Sequence, residues 1–302
     1  MTDIPFFPLS DSLDHQIIMH CEAHFSGNFA EMLRYYKKQG KGVQNDFTLK
    51  QIQNLQKTAE QSPQKLFDLF LEEEEKERVE KAKEKYRLLQ ETYDTSSNET
   101  SKLIADLIFS ESEHPKEEIE ALLKQSRTSE VAPALIQLLQ SEEFYDPLFP
   151  GYAKAPAHAA ECLGLLKEEK AVSPLFQTLG KHDFETDEEI LSAIRKIGVK
   201  ARNFLLEQLT KLPISKDNEN AALCLLNFED DEIVSKAFLQ MLQNSKGISN
   251  ELLLQYLVLG CSPLKDQKDQ EAFLSLSKTA SFPKAILLEM QTMASKWKKS
   301  KK

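Results

Sequence analysis

Glycine is scarce in this 302-residue chain, nine in all, and tryptophan occurs once. Long runs of β-branched residues are absent, while Leu, Lys, Glu, Gln and Ala, all good helix formers, dominate. That balance points to an all-α chain. The four cysteines, Cys21, Cys162, Cys224 and Cys261, lie far apart and form no C-x-x-C pair, so neither a disulfide framework nor a cysteine metal site is expected. No apolar run approaches the ~18 residues of a membrane helix. The longest cluster, Leu252 to Leu259, is short and is broken by Gln255. The first residues carry no basic, then apolar, signal-peptide pattern. A soluble, cytoplasmic chain without a membrane span is the expectation. Net charge is −10, which weighs against nucleic acid as a partner, because phosphate contacts need a basic surface. No P-loop, G-x-S-x-G, Rossmann glycine or zinc-protease motif is present.

What is present is charge unevenly placed. Glu99 to Pro150 holds eleven acidic and four basic side chains, whereas Arg195 to Lys216 holds six basic and one acidic. The end of the chain, Ser295 to Lys302, adds five lysines. Apolar periodicity marks the helices. Pro5 and Pro8 leave the start irregular, with Phe6 and Phe7 expected to pack onto the body. Leu13 to Lys38 reads as one or two helices, broken at Ser26-Gly27-Asn28. Gln39 to Gly42 is a loop, and Phe47 to Ala59 is helical. Ser62 and Pro63 are expected to cap and open one long helix to about Tyr93. Its centre, EEEEKERVEKAKEK, is charged on all sides, the pattern of a solvated helix that bridges two bodies. Thr95 to Asn98 then reads as a domain boundary.

After Asn98 the pattern changes to paired amphipathic helices. Cys162-Leu163-Gly164-Leu165-Leu166 is followed by Ala171-Val172-Ser173-Pro174-Leu175 through Leu179. Ala193-Ile194-Arg195-Lys196-Ile197-Gly198 is followed by Ala201 to Leu209. Ala222 to Phe228, then Ile233 to Leu242, is a weaker copy. Comparable leucines at Leu135, Leu175, Leu205 and Leu239 stand 40, 30 and 34 residues apart, spacings that belong to helix-pair solenoids. These segments resemble the HEAT repeat family, in particular the short repeat first noted in phycobilin lyases. The resemblance covers about residues 99–293 and does not extend to 1–98. It implies an α-α superhelix over those residues; from the residues themselves, 1–98 reads as an N-terminal helical region ending in a long charged helix and 294–302 as a basic, disordered tail. The resemblance fixes an architecture and not a chemistry. The function it implies is a non-enzymatic protein–protein interaction scaffold or adaptor with no cofactor. The alternatives are an enzyme on a HEAT scaffold, phycobilin-lyase-like or DNA-glycosylase-like, and a chaperone or regulator with two binding regions.

Two segments are candidate partner sites. The insertion Ser141 to Pro156 accounts for the 40-residue spacing and carries Phe144, Tyr145, Phe149 and Tyr152, stiffened by prolines. Such aromatics either fold back over a neighbouring repeat or meet a partner. The strip Arg195, Lys196, Lys200 and Arg202 either meets an acidic group or simply solvates a turn and complements a helix C-terminus. His20 and His24 share a helical face, with His15 and Cys21 nearby, but no further ligands stand at a known spacing, so no metal is expected. Cys162 and Cys224 take small-residue positions in packed helices. The acidic run Glu72 to Glu75 reads as a solvated face.

Overall fold

The computed structural model describes residues 12–125, 129–229, 231–244, 248–279 and 282–300. These residues form helices and no strand. The helices are α1 (Ser12–Phe25), α2 (Phe29–Lys37), α3 (Leu49–Gln61), α4 (Leu66–Phe70), α5 (Glu73–Thr95), α6 (Glu99–Phe109), α7 (Lys116–Gln125), α8 (Val131–Leu139), α9 (Ala155–Leu166), α10 (Val172–Thr178), α11 (Phe184–Ile197), α12 (Val199–Thr210), α13 (Lys216–Leu225), α14 (Glu232–Gln243), α15 (Glu251–Gly260), α16 (Gln267–Thr279) and α17 (Lys284–Ser300). Among the described residues no helix is long and apolar enough to cross a membrane. Contacts divide the chain into two units, Met1–Cys162 and Leu163–Lys302. The division falls inside α9 and not at Thr95 to Asn98, where the sequence places it.

In the first unit the break between α1 and α2 is as the sequence predicts. Ser26 and Gly27 take φ of +51° and +79°, and the Asn28 side chain accepts from the Glu31 amide at 3.1 Å to start α2. The expected single helix from Pro63 to Tyr93 is instead two. Ser62 is not the N-cap of a following helix: its backbone N–H ends α3 on the Thr58 carbonyl at 3.0 Å, and its hydroxyl closes a local turn with Gln64. Leu66 and Leu71 are both buried, and the extended backbone at Leu71 separates α4 from α5. The Glu72 amide then donates to Glu75 Oε2 at 2.8 Å, which starts α5. Nor is α5 a bridge between bodies. It packs on both α1 and α6, with Val79 and Ala82 fully buried. Asn98 caps α6 from Ser101 at 3.0 Å, so the expected boundary is a tight helix connection inside this unit.

In the second unit each helix packs on its neighbour in sequence or on the one after it. Helices α11, α13, α15 and α17 contact one another in series, and so do α10, α12, α14 and α16. The result is two parallel layers of helices, each layer burying what a lone pair would expose. Local reasons hold the register. At Gly164 a Cβ would stand 2.6 Å from the Ala193 Cα, so only glycine lets these helices meet. Gly198 differs: nothing crowds it, but its φ of +83° makes the α11–α12 turn. Asn218, buried in α13, donates to the carbonyls of Gln208, Leu209 and Lys211 and accepts from the Ser215 amide at 2.7 Å. It joins the end of α12 to the start of α13.

The expected disordered tail is helical as far as Ser300. Trp297 anchors it: its indole N–H donates to the Ser262 carbonyl at 3.1 Å and its ring meets Phe273 edge-on. Lys301 and Lys302, and the Phe6 and Phe7 expected to pack, lie outside the described residues.

Candidate functional site

The aromatic insertion is folded into the first unit. Its start is a 3-10 turn, Glu142–Tyr145. Phe144 is 5% exposed and lies under the Lys85 ammonium, 5.1 Å from its ring centre. Phe149 is 8% exposed and belongs to the core formed by α1 to α5. The Tyr145 hydroxyl donates to the Leu139 carbonyl at 2.6 Å. Arg78 and Lys85 of α5 hold Asp146 and Glu143 from outside, at 2.7 and 2.5 Å. Phe144 and Phe149 are therefore buried and pack within this unit. The insertion folds back, the first of its two readings.

Tyr152, the fourth insertion aromatic, is part of a polar cluster. Its backbone holds a φ of +56°, and its ring lies 4.4 Å from that of His24 and 6.3 Å from that of Tyr35. Burial is the main influence on its hydroxyl, with Tyr86, Glu111 and Tyr35 also acting on it. The protons in this chain can be assigned. A carbonyl only accepts, so His24 Nε2 carries the hydrogen it gives to Pro147 at 2.9 Å. Neutral His24 then accepts at Nδ1 from the Tyr86 hydroxyl, 2.7 Å away. Tyr35 donates to Glu111 Oε2 at 2.8 Å and accepts from the Gly42 amide at 2.9 Å. Two further donors hold the turn after α6. Lys41 Nζ reaches the Ser110 carbonyl at 2.8 Å, and His158 Nε2 reaches that of Glu113 at 3.3 Å.

Every resolved shift in this cluster favours the uncharged form. Burial lowers His24 to about 4, outweighing the Pro147 carbonyl and Asp146. Burial, with Lys41 beside it, lowers His158 to about 3. Burial raises the Tyr35, Tyr86 and Tyr152 hydroxyls. It likewise raises the thiols of Cys21, Cys162, Cys224 and Cys261. An activated nucleophile needs the reverse, a depressed hydroxyl or thiol beside a competent base. The His20 and His24 rings lie 4.4 Å apart, tilted by 53°, but both His24 nitrogens are engaged, and His15 turns away to Glu75 at 3.2 Å. No group of three or more His, Cys, Asp or Glu among the described residues is arranged to hold a metal ion. The sequence reading missed Tyr35, Tyr86, Glu111 and His158. They come from four separate segments, and no spacing links them.

The basic strip divides into two kinds of cation. Arg202 is committed: its guanidinium donates to Asp231 Oδ2 at 2.8 Å, both side chains mostly buried. Asp231 in turn caps α14 through the Ile233 and Val234 amides at 2.9 and 3.3 Å. Arg202 and the Val234 amide hold the Asp231 carboxyl low against the opposing effect of burial. Arg195 and Lys196, in the last turn of α11, are exposed and make no hydrogen bond or ion pair among the described residues. Lys200 meets Glu169 only at 3.8 Å, with both ends exposed. Val199, next to Lys200 in sequence, is 61% exposed, and Ile233, in the first turn of α14, is 55% exposed. The α11–α12 and α13–α14 turns enclose a shallow cleft of about 270 Å³ lined by Arg195, Val199, Asn227 and Phe228 and floored by the Arg202–Asp231 pair.

No protein-family model matches the sequence, and no curated protein matches it.

Proposed function

We propose that this chain is a non-enzymatic binding protein, a HEAT-type helical repeat whose second unit receives a protein partner along the turns at one end of its helices. The observation that carries this is the pair Val199 and Ile233. They are equivalent positions, 34 residues apart, at the starts of α12 and α14. Both leave a β-branched apolar side chain largely in water, and Val199 has the exposed cations Arg195, Lys196 and Lys200 close to it in sequence. A solvated turn needs neither, whereas a partner surface uses both. Layered stacking fixes the spacing of such turns and makes them a rigid platform. The phycobilin-lyase-like and glycosylase-like alternatives have no arrangement among the described residues in their favour.

A photo-crosslinking amino acid placed at 199 or 233 tests this in the cells that make the protein. Discrete adducts should form from both positions and not from position 212. Leu212 is more exposed still, at 77%, but lies past the far end of α12, about 18 Å away along the helix axis. Equal labelling from all three positions, or none, would sink the proposal.

A further inference from the structure

We infer that the first unit holds a small-molecule site, built on Glu22 and Lys65, for a free α-amino acid with an apolar side chain. The site is independent of the partner surface proposed for the second unit. A hollow of about 300 Å³ is lined by residues of two segments. Ile18, Glu22 and Phe29 come from α1 and the start of α2. Gln64, Lys65 and Leu66 come from the turn after α3 and the start of α4. The volume stands at the lower end of small-molecule sites. Ile18, Phe29 and Leu66 are buried and give the hollow an apolar lining.

The carboxylate of Glu22 carries the inference. The residue is only 6% exposed, yet it lines the hollow. Lys83 donates to its Oε2 at 3.1 Å and to Glu80 at 3.0 Å, so the three groups together keep one negative charge. Oε1 has no hydrogen-bond partner among the described residues. A carboxylate this deeply buried is ordinarily met by donors at both oxygens, because an unmet one keeps its desolvation cost. Gly27 keeps the space beside Oε1 clear, since a Cβ there would stand 2.5 Å from it. A carboxylate oxygen only accepts, so what meets it is a donor, and an ammonium also answers the charge. One free oxygen is too few to hold a metal ion. On the other segment, the exposed side chains of Gln64 and Lys65 make no hydrogen bond or ion pair among the described residues. The lining therefore carries one acid and one base and is neutral overall. A plain cation or a plain anion would leave one of the two unanswered. A zwitterion answers both: its ammonium on Glu22, its carboxylate toward Lys65 and its side chain over Ile18, Phe29 and Leu66.

Isothermal titration calorimetry with the full-length protein tests the inference. The probes are L-leucine and L-phenylalanine, each beside its amide, which keeps the ammonium and loses the carboxylate, and its desamino acid, which does the reverse. At least one of the two amino acids should bind, at one site per chain. Its desamino acid should bind roughly tenfold more weakly or not at all, because Glu22 then has no donor to accept from. Its amide should bind several-fold more weakly. Lys65→Glu, at an exposed position, should turn the second preference round, so that the amide binds better than the amino acid. Glu22→Gln should abolish binding. That variant also disturbs the pair with Lys83, so circular dichroism checks its fold, and the probe series on the unaltered protein and on Lys65→Glu decides the matter if it does not fold. The inference is overturned if neither amino acid binds, if the desamino acid or the amide binds as well as the amino acid, or if Lys65→Glu leaves the ratio of amino acid to amide unchanged.

Discussion

His24 and His158 tie stability to pH. Unfolded, each takes up a proton near its ordinary value of 6.5; folded, each resists until about 4 and about 3. The unfolded state therefore binds more protons at mildly acidic pH, and stability falls as pH drops below about 6.5. Between pH 7 and 5 the loss should be on the order of 2 kcal/mol per histidine. That window lies above the carboxylate range, so urea midpoints measured there report the histidines. His24→Gln should flatten the slope; an unchanged slope would show that His24 is solvated. Gly42 gives a steric test in the same cluster. A Cβ there would stand 2.2 Å from the Tyr152 ring, so Gly42→Ala should cost roughly 1–3 kcal/mol. Little of this cluster is legible in the sequence. His20 and His24 announce themselves by i, i+4 spacing, but the chemistry of His24 is set by Tyr86 and Pro147, 62 and 123 residues away. Local spacing carries no information about such partners.

Among the elements, the second-unit pairs were the most legible. Gly164, Gly198 and the leucines at 30- to 40-residue spacing stand where the helices turn and meet, because each contact is to a helix one or two along the chain. The long charged helix was the least legible. Charge on all sides suggests solvent, yet only Val79 and Ala82 need to be buried for α5 to pack on two helices, and Lys83 reaches the buried Glu22 at 3.1 Å. Long lysine side chains cover apolar surface while keeping their charge near water, so the pattern hides the contact. The link from α12 to α14 can be measured directly. Asp231→Ala removes both a cap and the partner of Arg202 and should cost about 2 kcal/mol. Arg202→Ala leaves the cap intact and should cost about 1 kcal/mol. If the two substitutions cost the same, Asp231 is not capping α14.

For the whole chain, the division inside α9 has a practical result. Residues 1–98 lack α6 and the insertion, both of which cover α5. A fragment of residues 1–98 should show no cooperative thermal transition, and limited proteolysis of the intact protein should leave Thr95 to Asn98 uncut. A stable, cooperatively melting fragment would restore the boundary read from the sequence. The insertion has a second consequence, for the rate of folding. By bonding the Pro147 carbonyl to His24 it closes a loop of more than a hundred residues before the first unit is complete. The second unit has no such requirement, since its helices join only near neighbours. Chains with local contacts fold faster than those that must close long loops. The two units also carry different fluorophores. Trp297 belongs to the second, while six of the seven tyrosines, all but Tyr256, belong to the first. After dilution from denaturant, the tryptophan signal should recover before the tyrosine signal, so that the end of the chain reaches its native state ahead of the beginning.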